Sequence, residues 1–407
     1  MLETWTDWIG MGVKVPMLIV GLGGLLIGAV LPWLTAGVGT DRRIRGALVL
    51  GGALVCGVAL WPMAKAGGLK EPAVQEVRLD HAACVKTLSQ RMAELTVTAR
   101  LAAIDTTAGP APADPIGLVS GSSTGMYHAV ADDLVAVARR NELALFNRET
   151  LGSLDNFRKL VDPKENAAIG FVQSDLLDWL RNSPDREDQR NATLLRLVLP
   201  LYAEEVHVLA RSGLNTLADL AGRRVLTAAS SQGSGYTAEN LLRAAQVSPP
   251  ARFDNQQTMA EALCSVLTGR ADAVVIVQGK PSSNLLSLDA LLTHPARPLD
   301  GVHLMPLDLP AQAEGYEVAR IDASDYPWVQ APVTTLSVRA LLMAVDFSSQ
   351  RNDYQKRRCQ QLKGLGDMVK RELPVLSRPP YQAKWREVDP LRPVRGWRPV
   401  TCSRTGV

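Results

Sequence analysis

The feature that most constrains this chain is a pattern repeated after residue 114. An uninterrupted apolar run leads into a turn of glycine and hydroxyl residues, and then into an amphipathic stretch. PIGLVS at 115–120 leads into GSSTG, after which Tyr127, Val130, Leu134 and Val137 recur at helical spacing. LALF at 143–146 precedes Gly152-Ser153 and LDNFRKLV, and AAIGFV at 167–172 precedes Gln173-Ser174-Asp175 and LLDWL. RVLTAA at 224–229 precedes SSQGSG and YTAENLLRAA, and AVVIV at 273–277 precedes QGKP. Runs that are apolar throughout are strands buried on both faces. Their alternation with helices predicts a mainly parallel sheet covered on each side.

In open sheets of this kind ligands sit beyond the carboxyl ends of the strands, where this chain places its Gly, Ser, Thr and Gln. One such turn is ordinarily a helix cap. Several aimed at one place would offer unpaired N–H groups and the positive ends of helix dipoles to an anion, and a carboxylate suits them best.

The first of these turns, GSSTG at 121–125, also has the spacing of a hydrolase nucleophile elbow. That chemistry needs a base, an orienting acid and an oxyanion loop from a preceding strand. PIGLVS reads as the first strand of its domain, so no earlier strand supplies the loop. His128 lies in the same helix as Ser123, His207 lies in the strand-like run LYAEEVHVLAR, and His294 and His303 sit in a proline-rich turn region. Ser123 is therefore read as a holding group, with a serine hydrolase the less favoured alternative. There is no HExxH, no P-loop and no Cys/His cluster with metal spacing, so neither an enzyme, a metal nor a cofactor is expected. The adjacent pairs Asp132-Asp133 and Glu204-Glu205 read as solvated charge. The 44 Lys plus Arg and 41 Asp plus Glu are nearly balanced and spread along the chain, which argues against a nucleic-acid partner.

The N-terminus differs in character. Val15 to Thr40 and Gly46 to Ala64 carry no charge, and each meets the roughly 20 apolar residues needed to cross a bilayer. Arg42, Arg43 and Arg45 lie between them, so the positive-inside rule puts that short loop in the cytoplasm and everything after Ala64 outside. The expectation is an uncleaved two-helix anchor in a bacterial inner membrane, with the bulk of the chain in the periplasm. Cys84, Cys264, Cys359 and Cys402 all fall on the outer side, where three pairings or four buried thiols are open. One helical stretch, LDHAACVKTLSQRMAELTVTARL, and a Pro/Ala spacer at 106–115 separate the anchor from the α/β portion.

Taken in order, STGMYHAVA (123–131), LGSLDNFRKL (151–160), IGFVQSD (169–175), LYAEEVHVLARSGLNTLADLAGRRV (201–225), SSQGSGYTAENLL (230–242), LTGRADAVVIVQGKP (267–281) and YPWVQAPVTTLSVRALLMA (326–344) resemble the TAXI-type solute-binding subunits of TRAP (tripartite ATP-independent periplasmic) transporters. The resemblance covers roughly 115–375 of the sequence. It implies a type II periplasmic-binding fold, two α/β lobes around a cleft. Lobe 1 would be 113–203 plus 302–380 and lobe 2 would be 204–301, between the anchor at 1–66 with its helical segment and linker at 67–112 and a tail at 381–407. It further implies a small carboxylate ligand, an amino acid or organic acid, held by Ser123, Thr124, Gly125, Tyr127, Gly152, Ser153, Gln173, Ser234 and Gly235. Lys280 is a possible counter-charge. TRAP permease subunits would be the partners. A sensory protein that docks to a membrane receptor is the alternative from another class. The first loop departs from the family's GGxYY pattern, reading Thr124-Gly125-Met126-Tyr127-His128.

Overall fold

The computed structural model describes residues 79–103, 115–229, 232–292, 301–308 and 315–402. The two uncharged N-terminal segments and nearly all of the Pro/Ala spacer lie outside the described residues. Among those that are described, no helix is long and apolar enough to cross a membrane.

The described chain opens with helix α1 (His81–Ala103). There follow β1 (Ile116–Val119), α2 (Met126–Arg140), β2 (Leu145–Arg148), α3 (Ser153–Val161), β3 (Ile169–Gln173), α4 (Leu176–Arg181), α5 (Arg186–Ala192) and the long strand β4 (Leu195–Arg211). Then come β5 (Arg224–Ala228), α6 (Gln232–Ala244), β6 (Arg252–Gln257), α7 (Met259–Leu267), β7 (Ala273–Gln278), α8 (Ser283–Leu286) and α9 (Asp289–Leu292). The last elements are β8 (Val302–Leu304), β9 (Glu317–Ile321), β10 (Val333–Val345) and α10 (Asp353–Leu376).

These strands make one sheet in the order β2-β1-β3-β10-β4-β7-β5-β6, with β8 against β4 and β9 against β10. β1 runs parallel to β2 and β3, and β5 runs parallel to β6 and β7. Between these two triplets lie β10 and β4, antiparallel to each other and to the strands beside them. The expectation of a mainly parallel sheet therefore holds within each triplet and fails at the centre. β4 and β10, 17 and 13 residues long, each serve both halves of the sheet. The N-terminal part of β4 pairs with β10, and Glu205 to Ala210 pair with β7.

Alternation along β10 shows why these strands read as unbroken apolar runs. Ala340, Leu342 and Ala344 enter one core with Leu134, Phe171 and Leu365, whereas Leu341 and Met343 enter the opposite core with Phe157, Val172 and Leu180. Helices cover both faces, so neither set meets water.

The segments flanking the α/β portion are part of the packing. In α1, Cys84, Leu88 and Met92 recur one turn apart and are buried with Leu263 and Cys264 of α7. Cys84 and Cys264 form a disulfide, 180 residues apart in sequence. At the other end, Trp385 is buried and donates from its indole to Asp133 at 2.8 Å. Leu197 and Val400 exchange backbone hydrogen bonds with the Arg398–Val400 segment and β4, and Cys359 is disulfide-bonded to Cys402. Residues set apart as a tail on sequence grounds thus close the first half of the sheet.

The Cys84–Cys264 bond closes a long loop, so its loss is expected to cost stability chiefly by freeing the unfolded chain. The Cys84→Ser/Cys264→Ser protein should lose about 2–4 kcal/mol in urea denaturation relative to the parent. An unchanged unfolding free energy would show that α1 is held by its apolar contacts alone.

Candidate ligand-binding site

The site is built at the carboxyl ends of the parallel strands, where three helices begin. α2 starts from Gly125 and α3 from Gly152, and neither N-cap residue has a side chain to satisfy the first N–H groups. Gly152 sits at φ 98°, a conformation that side-chain-bearing residues rarely adopt. α6 supplies Gly233 and Ser234 from the other half of the sheet. All three helix starts border one chamber of about 70 Å³, whose walls also include Tyr127, Gln173, Glu204 and Gln278.

A buried carboxamide holds the first-half turns in place. The Asn156 amide donates to the Ser120 and Phe171 carbonyls at 2.5 and 2.7 Å, and the Thr150 hydroxyl donates to the Asn156 side-chain oxygen at 2.7 Å. Within the chamber, Tyr127 donates its hydroxyl to Glu204 at 2.6 Å and lies 3.4 Å from the Ser153 hydroxyl. Ser153 in turn accepts the Gln173 backbone N–H at 3.1 Å. The Gln173 side-chain amide is 2 % exposed, and neither its oxygen nor its nitrogen has a hydrogen-bond partner among the described residues. Leaving both ends of a buried amide unmade is costly, on the order of 1–3 kcal/mol each. Its tip is pressed against α6, where a Cβ added at Gly233 would stand 1.7 Å from the Gln173 oxygen.

Contacts between the halves hold the two sides of the chamber together. Asp175 at the end of β3 accepts from Thr237 at 2.7 Å and from Tyr316 at 2.6 Å, and its carbonyl accepts from Asn240 at 3.3 Å. Arg243 pairs with Asp178 at 3.1 Å, and Ser283 donates to the Thr124 carbonyl at 3.0 Å.

Residues 118–355, a span that contains every wall of this chamber, match the model of the NMT1-like family. The chain belongs to the NMT1-like family. No curated protein matches it. Among solved structures it is similar to the substrate binding protein of an amino acid ABC transporter, at 10% identity, TM-score 0.35, covering 63% of this chain and 93% of that one. It is also similar to holo ArgBP from T. maritima, at 11% identity, TM-score 0.35, covering 63% and 90%. A third is the alkanesulfonate-binding protein SsuA from Xanthomonas axonopodis pv. citri bound to MOPS, at 16% identity, TM-score 0.35, covering 70% and 89%.

In this NMT1-like protein, the chamber gathers Thr124, Gly125, Tyr127, Gly152, Ser153, Gln173 and Ser234 from the residues singled out by sequence. Three others fall elsewhere. Ser123 faces a neighbouring outer cavity, and its backbone N–H donates to Glu149 at 2.6 Å. Gly235 turns toward Thr227, 3.7 Å from where its Cβ would lie. Lys280 reaches away from the chamber to Asp325, 2.8 Å distant. No Lys, Arg or His is among the described residues lining the chamber.

The reading of Glu204-Glu205 and Asp133 as solvated charge is corrected by the structure: all three are buried, at 3 %, 3 % and 1 % exposure. β4 is central and covered on both faces, so adjacent acids in it point to opposite buried sides. Glu205 meets the buried Lys384 at 3.1 Å and accepts the Lys280 backbone N–H at 2.8 Å. Glu204 enters the chamber. Burial first, then the negative charges of Asp175 and Glu205, push its carboxyl up to about 8, against the lowering effect of the Tyr127 hydrogen bond. The sequence held a usable signal, two acids inside the otherwise apolar run LYAEEVHVLA.

Because Glu204 binds its proton more tightly folded than unfolded, its contribution to stability is full below the ordinary carboxylate range and is lost as pH rises through about 8. Glu204→Gln should therefore unfold less readily than the parent at pH 8 and show little difference at pH 4.5, by urea denaturation at each pH without ligand. A constant offset across that range would mean that Glu204 is ionised in the folded protein throughout.

Proposed function

We propose that this protein is an extracytoplasmic binding protein that closes two α/β lobes, one built on each half of the sheet, on a small carboxylate. The observation that carries this reading is the meeting of three helix starts, two of them capped only by glycine, from both halves of the sheet around one chamber. Each start brings unpaired N–H groups and about half a positive charge, so an anion is held without a basic side chain. The unpartnered Gln173 amide offers one donor and one acceptor more. Ligand touching both halves at once favours the closed form by its differential contacts, and hinge closure around β4 and β10 needs no chemistry.

Glu204 favours an amino acid over an organic acid. A carboxylate alone would find the nearby Glu204 repulsive once ionised. A zwitterion would place its acid at the helix starts and its ammonium against Glu204, whose ionisation the ammonium would favour. The two disulfides fit an oxidising compartment. The uncharged N-terminal segments would tether the protein to the bacterial inner membrane, where it would deliver ligand to a TRAP-type permease. Co-purification of a permease supports that role, whereas co-purification of a histidine kinase or cyclase would make the protein a sensor.

Calorimetric titration of the full-length protein in lipid nanodiscs with amino acids, keto acids and dicarboxylates tests the reading. A ligand at about 100 times its Kd should add roughly 2.7 kcal/mol to stability. Failure of every carboxylate to bind would reject it. Glu204→Gln should weaken an amino acid by roughly 10- to 100-fold while sparing the matching keto acid, since only the former loses a charge-assisted partner. Gly233→Ala should weaken both, because its Cβ would drive the Gln173 amide into the chamber.

A further inference from the structure

The chamber is too small for more than the head of an amino acid. At about 15 Å³ per water-sized site, its 70 Å³ accommodates about five such atoms, which is the ammonium, the α-carbon and the carboxylate. Any side chain must leave it. The chamber abuts a second cavity of about 400 Å³, and the two share Thr124, Gly125, Met126 and Gln278 as lining residues. Apolar side chains of three origins wall this outer cavity: Leu95 of α1, Met126 and Ala129 of α2, and Pro281 and Leu286 at and beside α8. Asp132 and His128, 3.7 Å apart, also border it, and no Lys or Arg does among the described residues.

We propose that the outer cavity is a side-chain subsite that selects an apolar chain, and that α1 is the element that sets this selectivity. The inference rests on the amino-acid reading above and names the part of the ligand which that reading leaves open. α1 precedes the residues matched by the family model, which begin at 118, so its wall lies outside the matched span. Its position is fixed rather than incidental. The Cys84–Cys264 disulfide and the buried Leu88 and Met92 pin it to the second half, and its next turn brings Leu95 to the cavity. An apolar chain lying there gains by leaving water. A second carboxylate would meet Asp132, and the wall holds no Lys or Arg among the described residues to offset it; His128, the basic side chain there, already lies 3.7 Å from Asp132.

The test is calorimetric titration of the full-length protein in nanodiscs with 2-aminobutanoate, norvaline, norleucine and 2-aminoheptanoate, and with 2-aminoadipate as the charged counterpart of the longer chains. Kd should tighten about fourfold for each added methylene, the factor for full burial of a CH2 group, and 2-aminoadipate should bind more weakly than norleucine. Leu95→Gln should flatten the dependence on chain length. Ala129→Phe, which fills the cavity from the other side, should penalise the longest probes most. Retained melting temperatures without ligand would show that both variants are folded. Affinity that does not change with chain length, or equal dependence in parent and Leu95→Gln, overturns the proposal while leaving the amino-acid reading intact. Absence of binding by every probe, the shortest included, overturns both.

Discussion

Two strands carry the architecture. β4 and β10 are long enough to belong to both halves of the sheet, and they lie antiparallel at its centre. Strands on either side then run parallel within their own triplets, and each triplet ends its strands toward the shared middle. The helices that follow those strands begin there too. This is why the starts of α2, α3 and α6, more than a hundred residues apart from first to last, border one chamber. Without the crossing strands, each helix start would face water separately.

The chamber combines two kinds of electrostatics. Its positive character comes from backbone, the N–H groups of helix starts, which cannot titrate and need no counter-ion. Its negative character is one carboxyl, Glu204, held from water by β4's central place and steadied by Tyr127. Glu205, the next residue, is neutralised on the opposite face by Lys384. The same alternation that buries two acids thus gives one a structural partner and leaves the other for the chamber. Asn156, at 0 % exposure, ties the turns after β1 and β2 to strand β3, so the helix starts are held by a network and not by loop packing.

The segments outside the family match complete the molecule. α1 is fastened to α7 and forms a wall of the outer cavity, while the stretch after α10 inserts Lys384 and Trp385 against Glu205 and Asp133. Without that C-terminal stretch Asp133 would lose its Trp385 and Gln382 donors and Glu205 its counter-charge, so the stretch supports the site from behind.

The sequence alone determined the class of fold and most of the chamber. Unbroken apolar runs report burial on both faces, and Gly/Ser turns report helix starts; both signals are local, and so Thr124, Gly125, Gly152, Ser153, Gln173 and Ser234 stood out as turn residues, while Tyr127 was implied by the family resemblance. The tertiary structure decided what depends on strand order. That includes the antiparallel centre, the pairing of Cys84 with Cys264 and of Cys359 with Cys402, the departure of Ser123, Gly235 and Lys280 from the chamber, and the entry of Glu204 into it. A charge in a strand looks the same on paper whether its face meets water or a neighbouring helix. Only the packing of both faces of β4 distinguishes a solvated acid from a buried one.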